Sequence, residues 1–146
     1  MKNLKSIVGL FVLSTIFSCS DDDNNSTTPT ETLADNWTLV TATGTIAGTT
    51  HEFPHGTIVW KFNTDNTITV FNNNTDETLQ SGLTSGTYPY IVSNNPETAA
   101  CEKSIIINTT AEFGCLSVSD TEMDIDEGIA DGINYHFEKI IPFETN

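Results

Sequence analysis

The stretch IVWKF at 58–62, followed by the turn residues NTDN at 63–66 and by ITV at 68–70, decides the fold class. Ile58, Trp60 and Phe62 recur at every second position of IVWKF, so they share one face of an extended segment while Lys61 lies on the other. Two alternating segments that flank a short turn rich in Asn and Asp are typical of an antiparallel hairpin. The sequence therefore predicts β-structure here, with Trp60 on the apolar face.

The same period of two recurs on both sides of this hairpin, and no segment of 33–146 carries a helical stripe. Further strands are predicted at 37–41, 88–92, 104–107, 113–118, 122–126 and 133–137. Turn residues separate these segments at roughly ten to fifteen residues, which is typical of an antiparallel up-and-down meander. We therefore predict one all-β domain at 33–146, an antiparallel meander that forms either a small β-barrel or a β-sandwich.

Four segments of this domain resemble lipocalin-like (calycin-type) proteins: NWTL at 36–39, GTIVWKF at 56–62, SGTYPY at 85–90 and DGINYHF at 131–137. The resemblance spans nearly the whole domain and implies an eight-stranded barrel that Trp37 closes at one end. The interior of such a barrel holds either side chains or one small ligand. The resemblance therefore implies a non-catalytic domain that binds a small apolar or amphipathic ligand.

Aromatic residues on the predicted inward faces are the candidate ligand contacts. They are Trp60, Phe62, Tyr88, Tyr90, Tyr135 and Phe137. Each has a second interpretation, which is plain packing in a filled interior. In that case the domain is a solid-core structural or protein-interaction module of the cell envelope without a small-molecule ligand. A continuous pocket open at one end would favour binding, and a filled interior would favour the module.

The first 18 residues are typical of an export signal. Lys2 and Lys5 precede an apolar run at 7–17, which is shorter than the ~20 residues that a membrane-spanning helix needs. The segment IFSC at 16–19 resembles the lipobox of bacterial lipoproteins. The resemblance implies that the leader 1–18 is removed and that an acylated Cys19 inserts into membrane lipid. An ordinary secretory leader with an incidental cysteine and a retained transmembrane helix are the alternatives.

We predict that residues 19–32 form a flexible acidic tether rich in Ser and Thr, because the segment 20–30 contains no large apolar residue. Its first residues, CSDDD at 19–23, resemble the surface-export signal of Bacteroidota-type lipoproteins. The resemblance implies a lipid-anchored protein of the bacterial outer membrane that faces the cell exterior. A solvated spacer is the alternative explanation of the acidic residues.

Negative charge dominates the chain, which has 20 acidic residues, five lysines, no arginine and a formal net charge of −15. Two of the lysines lie in the leader, so the mature chain keeps three lysines against 20 acids, a net charge of −17. Such a field repels phosphate backbones, and nucleic-acid readers depend on arginine forks and basic stripes. The composition therefore excludes a nucleic-acid partner and leaves protein partners unspecified.

Apart from Cys19, the chain contains two cysteines, Cys101 and Cys115. An even pair in an oxidising compartment indicates a disulfide. The predicted strand at 104–107 and the turn at 108–110 would bring the two residues near each other as a hairpin. Two free thiols are the alternative, since an asymmetric register about this turn would separate the sulfurs.

The segment HEFPH at 51–55 matches the letters of the zinc-protease motif, which requires a helix to place both histidines on one face. Pro54 would break that helix, so we interpret the segment as a loop with His51 and His55 exposed. Acidic residues at 120, 122, 124 and 126 alternate with apolar ones, which favours a solvated strand face over a Ca²⁺ site. We therefore predict no metal site, no cofactor and no catalytic activity.

Overall fold

The computed structural model of the protein describes residues 33–44, 48–94, 101–108, 111–128 and 131–141. Within these ranges the chain forms nine β-strands and no helix. The strands are β1 (Asn36–Gly44), β2 (Thr49–Glu52), β3 (Ile58–Phe62), β4 (Thr67–Asn72), β5 (Gly86–Ser93), β6 (Ser104–Ile107), β7 (Ala111–Val118), β8 (Glu122–Asp126) and β9 (Ile133–Lys139).

The strands form one antiparallel sheet that closes on itself. Neighbours in the chain pair from β3 to β9, and β1 completes the ring by pairing with both β3 and β9. The ring therefore contains eight strands, and β2 is an additional strand. This closed antiparallel barrel confirms the predicted all-β class and the up-and-down order, and it excludes the β-sandwich.

The additional strand β2 shares one edge of β1 with β3. Thr41 to Gly44 pair with β2, whereas Asn36 to Thr38 pair with β3. The expectation that 51–55 is a loop with both histidines exposed was therefore wrong for His51, which is half-buried in β2, and right for the exposed His55. The four residues of β2 are TTHE. Thr49 and Thr50 favour a strand, but no apolar alternation indicates that it continues through His51 and Glu52.

Alternation along the strands fills the barrel with apolar side chains. Met123 and Ile125 of β8 are fully buried, while the acidic residues between and beside them lie on the outer face, as the spacing of two predicts. Trp60 is likewise fully buried in β3 and lies opposite Trp37 of β1. Lys61 between the buried positions of β3 is exposed, as predicted.

The N-terminal residues of the described chain close one end of the barrel. The Trp37 indole is buried and its Nε1–H donates a hydrogen bond to the Leu33 carbonyl oxygen at 3.2 Å. Lys139 covers the same ring at 5.8 Å from its centroid and pairs with the Asp35 carboxylate at 2.7 Å. The lysine interaction lowers the pKa of Asp35, although partial burial acts in the opposite direction. These contacts thus hold the start of β1 against the end of β9.

Candidate functional site

The predicted ligand contacts all belong to strands of the ring, and five of the six are buried. These five are Trp60, Phe62, Tyr90, Tyr135 and Phe137. Tyr88, the sixth, is half-buried in β5, and its hydroxyl donates to the Thr84 carbonyl oxygen at 2.9 Å. The sequence therefore identified inward aromatic positions, and the structure places them in the hydrophobic core.

The buried aromatic rings pack against one another. Trp60 lies with ring centroids 4.9 Å from Phe137 and 6.5 Å from Phe62. Phe62 meets Tyr90 edge to face at 5.1 Å. Offset and edge-to-face pairs at these separations are the favourable arrangements of aromatic rings. Around Trp60, therefore, side chains occupy the middle of the barrel.

Phe113 is a member of this cluster that the sequence reasoning did not select. Its ring lies 5.9 Å from Trp60 and stacks on Tyr135 at 5.7 Å. Strict alternation back from the buried Leu116 would place Phe113 on the outer face. The register of β6 with β7 shifts at this point, because Ile105 pairs with Gly114 whereas Ile106 pairs with Glu112. This β-bulge turns the Phe113 side chain inward, and Gly114 was the sequence signal that could have indicated it.

The end of the barrel opposite Trp37 is covered by the β4–β5 loop, residues 73–85. Leu79 and Leu83 of this loop pack against the core. Gly82 has a φ of +73°, and a Cβ at this position would lie 3.5 Å from Tyr135 Cε1 and 3.6 Å from Trp60 Cζ2. The backbone of the loop thus lies directly over two of the predicted ligand contacts, and glycine provides the left-handed conformation that this approach requires.

Two polar residues of the wall hold the β4–β5 loop. The Asn72 side-chain amide donates to the Leu83 carbonyl oxygen at 2.9 Å and to Ser81 Oγ at 3.2 Å, near the base of the loop. Farther along, the Gln80 backbone N–H donates to Nδ1 of His51 at 2.7 Å. His51 of β2 therefore accepts a hydrogen bond from the loop that covers the barrel end.

Trp60 carries a buried polar atom without a partner. Its Nε1 forms no hydrogen bond with any described residue, although the side chain is 0% exposed. Buried polar groups of proteins almost always find a partner, so an unsatisfied donor needs a specific explanation. Cζ2, two bonds from Nε1, is the Trp60 atom that would lie nearest, at 3.6 Å, to a Cβ at Gly82, so the indole lies beneath the β4–β5 loop.

Tyr135 and Glu127 place a second polar group at the same end. The Tyr135 hydroxyl donates to Oε1 of Glu127 at 3.3 Å, and the other carboxylate oxygen accepts the Ile133 backbone N–H at 3.0 Å. Burial raises the pKa of Tyr135 well above the usual tyrosine range, and the neighbouring carboxylate of Glu127 raises it further. The hydroxyl therefore stays protonated and serves as a donor.

Cys101 and Cys115 form a disulfide, as the cysteine count predicted, with their Cα atoms 5.6 Å apart. The bridge joins the segment before β6 to the middle of β7. Beside it lies a groove of about 380 Å³. The groove is lined by Cys101, Glu102, Cys115, Leu116, Ser117, Asp124, Asp126 and Asn134. It therefore lies on the acidic outer side of the wall, and none of the six predicted ligand contacts lines it.

Two of the histidines lie beside acidic residues. Nδ1 of His136 lies 2.9 Å from Oδ1 of Asp124 on the outer face of β8, and the carboxylate oxygen accepts this hydrogen bond. His55 lies 3.3 Å from a Glu138 oxygen, and both side chains are well exposed. Among the described residues, no three His, Cys, Asp or Glu side chains are grouped closely enough to hold a metal ion.

The predicted leader 1–18, tether 19–32 and lipidation site Cys19 lie outside the described residues. In the part of the chain that the structure describes, no helix has the length and apolar character needed to cross a membrane.

Comparison of the chain with known protein families, with curated proteins and with solved structures gives no match.

Proposed function

We propose that the protein is a lipid-anchored lipoprotein of the bacterial outer membrane whose non-catalytic barrel binds a small apolar or amphipathic ligand. The observation that carries the binding function is the form of the barrel. Strands enclose its interior, Trp37 closes one end, and among the described residues the β4–β5 loop lies over the other end, at Trp60 and Tyr135. Small antiparallel barrels commonly bind ligands at such an end.

The anchor is proposed from the sequence alone. A basic n-region, a short apolar run and the lipobox-like IFSC precede the acidic tether, and this order is typical of an exported and acylated protein. Each buried methylene of an acyl chain contributes ~0.8 kcal/mol, so two or more chains anchor a protein durably. The acidic residues at 21–23 support surface exposure.

A solid-core module is the second candidate function, and the aromatic packing favours it. Phe62, Phe113 and Phe137 each pack against Trp60, where a lipocalin-like cup would hold its ligand. In this alternative the barrel has only a structural role, and its acidic surface contacts a protein partner in the envelope.

Thermal unfolding in the presence of candidate ligands separates the two functions. We expect neutral apolar compounds to raise the Tm of the protein, since a ligand at 100 times its Kd stabilises the folded state by ~2.7 kcal/mol. Haem-like compounds and glycans, measured in parallel, extend the test to large planar and to polar ligands. If no class of compound raises the Tm, the ligand-binding function is refuted and the solid-core module remains.

Replacing the lipidation residue tests the anchor. We expect Cys19→Ala to abolish labelling of the protein by fatty-acid precursors and to shift it from the membrane fraction to the soluble fraction, because no acyl chain is attached. Cys115→Ala is the control: it also replaces a cysteine, and although it breaks the disulfide with Cys101 it should leave labelling intact. Unchanged partitioning of Cys19→Ala into detergent would contradict the lipid anchor.

A further inference from the structure

We propose that the β4–β5 loop is a lid over a ligand site whose floor is Trp60, Phe113 and Tyr135. The ligand is a neutral apolar molecule, and a hydrogen-bond acceptor on it binds the indole N–H of Trp60. This proposal rests on the ligand-binding function above. It adds where the ligand enters, which polar group binds it, and that the ligand is uncharged. Three independent features of the loop-covered end lead to it.

The first feature is the construction of the cover. The wall of the barrel is a continuous ladder of paired strands, whereas the β4–β5 loop is held near its base by Asn72 and farther along by the Gln80–His51 hydrogen bond. Displacing the loop breaks no strand pairing. It also uncovers apolar surface, because Leu79 and Leu83 then leave the core and a ligand can replace them.

The second feature is the unsatisfied donor. The two tryptophans of the chain differ in this respect, since the Trp37 N–H is bonded to the Leu33 carbonyl and the Trp60 N–H has no acceptor among the described residues. Cζ2 of the same indole, two bonds from the nitrogen, would lie 3.6 Å from a Cβ at Gly82 of the loop. An acceptor that arrives when the loop moves would satisfy a group that otherwise destabilises the fold.

The third feature is charge. Four chain segments connect the strands at this end, at 44–49, 73–85, 108–111 and 127–132, and their sequences contain no lysine or arginine. They do contain Asp76, Glu77, Glu127 and Asp131. Glu127 is hydrogen-bonded to Tyr135 in the floor of the site. Transfer of a carboxylate or phosphate to this end of the barrel would be unfavourable, because the four segments carry no lysine or arginine to compensate its lost hydration.

Calorimetric titration with two nine-carbon probes tests the polar contact and the charge. The probes are 2-nonanone, which has a neutral carbonyl acceptor, and nonanoate, which is an anion at pH 8. We expect nonanone to bind at least ten times more tightly than nonanoate. Trp60→Phe keeps an aromatic ring but removes the N–H, and we expect it to weaken nonanone binding about three- to tenfold. Trp37→Phe, the matched control at the closed end, should bind nonanone with unchanged affinity.

Trp37→Phe also leaves Trp60 as the single tryptophan of the chain, so its fluorescence reports the site directly. We expect the emission of this variant to shift on addition of nonanone. Binding of nonanoate as tightly as nonanone would overturn the charge inference, and equal affinities of Trp60→Phe and Trp37→Phe would overturn the polar contact. In both cases the proposed binding function would survive. If neither probe binds but another class of compound raises the Tm, the proposed site is overturned and the binding function survives; if no compound binds, both are refuted.

The lid is tested by releasing it. In the Trp37→Phe background, we expect His51→Leu to raise the acrylamide quenching constant of Trp60 at least twofold, because the Gln80 N–H loses its acceptor and the loop opens more often. His55→Leu is the matched control, since His55 lies on the neighbouring β2–β3 connection and pairs with Glu138. Equal quenching in the two variants would show that the loop is not held by His51 and would overturn the lid.

Discussion

We expect Trp60→Ala to lower the free energy of unfolding by about 3–5 kcal/mol, the range for deletion of a large aromatic side chain from a packed core. Trp60 is fully buried and its ring lies 4.9 Å from Phe137, 5.9 Å from Phe113 and 6.5 Å from Phe62. The substitution removes the contacts that Trp60 makes with rings of β3, β7 and β9. Because these rings are held by their strands, they cannot move in to fill the cavity that the substitution leaves. Urea denaturation of the variant and the wild type measures the loss.

Phe71→Ala is the control for this measurement. Phe71 lies on the adjacent strand β4, but its side chain is on the outer face and 53% exposed. We expect a change within about 0.5–1 kcal/mol, as for most surface positions. A loss below about 1 kcal/mol for Trp60→Ala would contradict the inward orientation of β3 and the aromatic centre of the barrel.

Loss of the disulfide has the second largest expected effect. We expect the double variant Cys101→Ser/Cys115→Ser to be less stable by ~3 kcal/mol, because the bridge closes a loop of about 15 residues that is unconstrained when the variant unfolds. The bridge spans 14 positions of sequence and includes the whole of β6. Thermal and urea unfolding in the absence of reductant measure the difference.

Reductant supplies the control for the disulfide. It should lower the stability of the wild type to that of the double variant and leave the double variant unchanged. Cys115→Ser alone should match the double variant, because either substitution opens the same loop. If reductant leaves the unfolding midpoint of the wild type unchanged, the bridge does not contribute to stability.

Much of the barrel could be predicted because alternation is a local property. The segment IVWKF predicts the inward Trp60 and the outward Lys61 from five consecutive residues, and β8 predicts its buried Met123 and Ile125 in the same way. The turn residues between the segments indicate that consecutive strands are antiparallel neighbours in the sheet. The pairing of β1 with β9 is not local, and it followed only from the resemblance to lipocalin-like domains.

The missed features depend on irregular backbone or on distant contacts. Phe113 points inward because a bulge shifts the period of β7 by one residue, and a strict period of two cannot show this. Likewise, the hydrogen bond between Gln80 and His51 joins residues 29 positions apart in a loop and a polar strand. Neither segment carries an apolar pattern, so the covered barrel end could not be derived from the sequence.

The closed ring also fixes an orientation. β1 begins at the Trp37 end of the barrel, and β4 runs parallel to β1 and delivers the chain to the β4–β5 loop at the opposite end. The chain therefore enters the barrel, at Leu33, at the end that Trp37 closes. Were the proposed anchor to hold the domain at a bilayer, its point of attachment and the proposed ligand site would lie at opposite ends of the barrel.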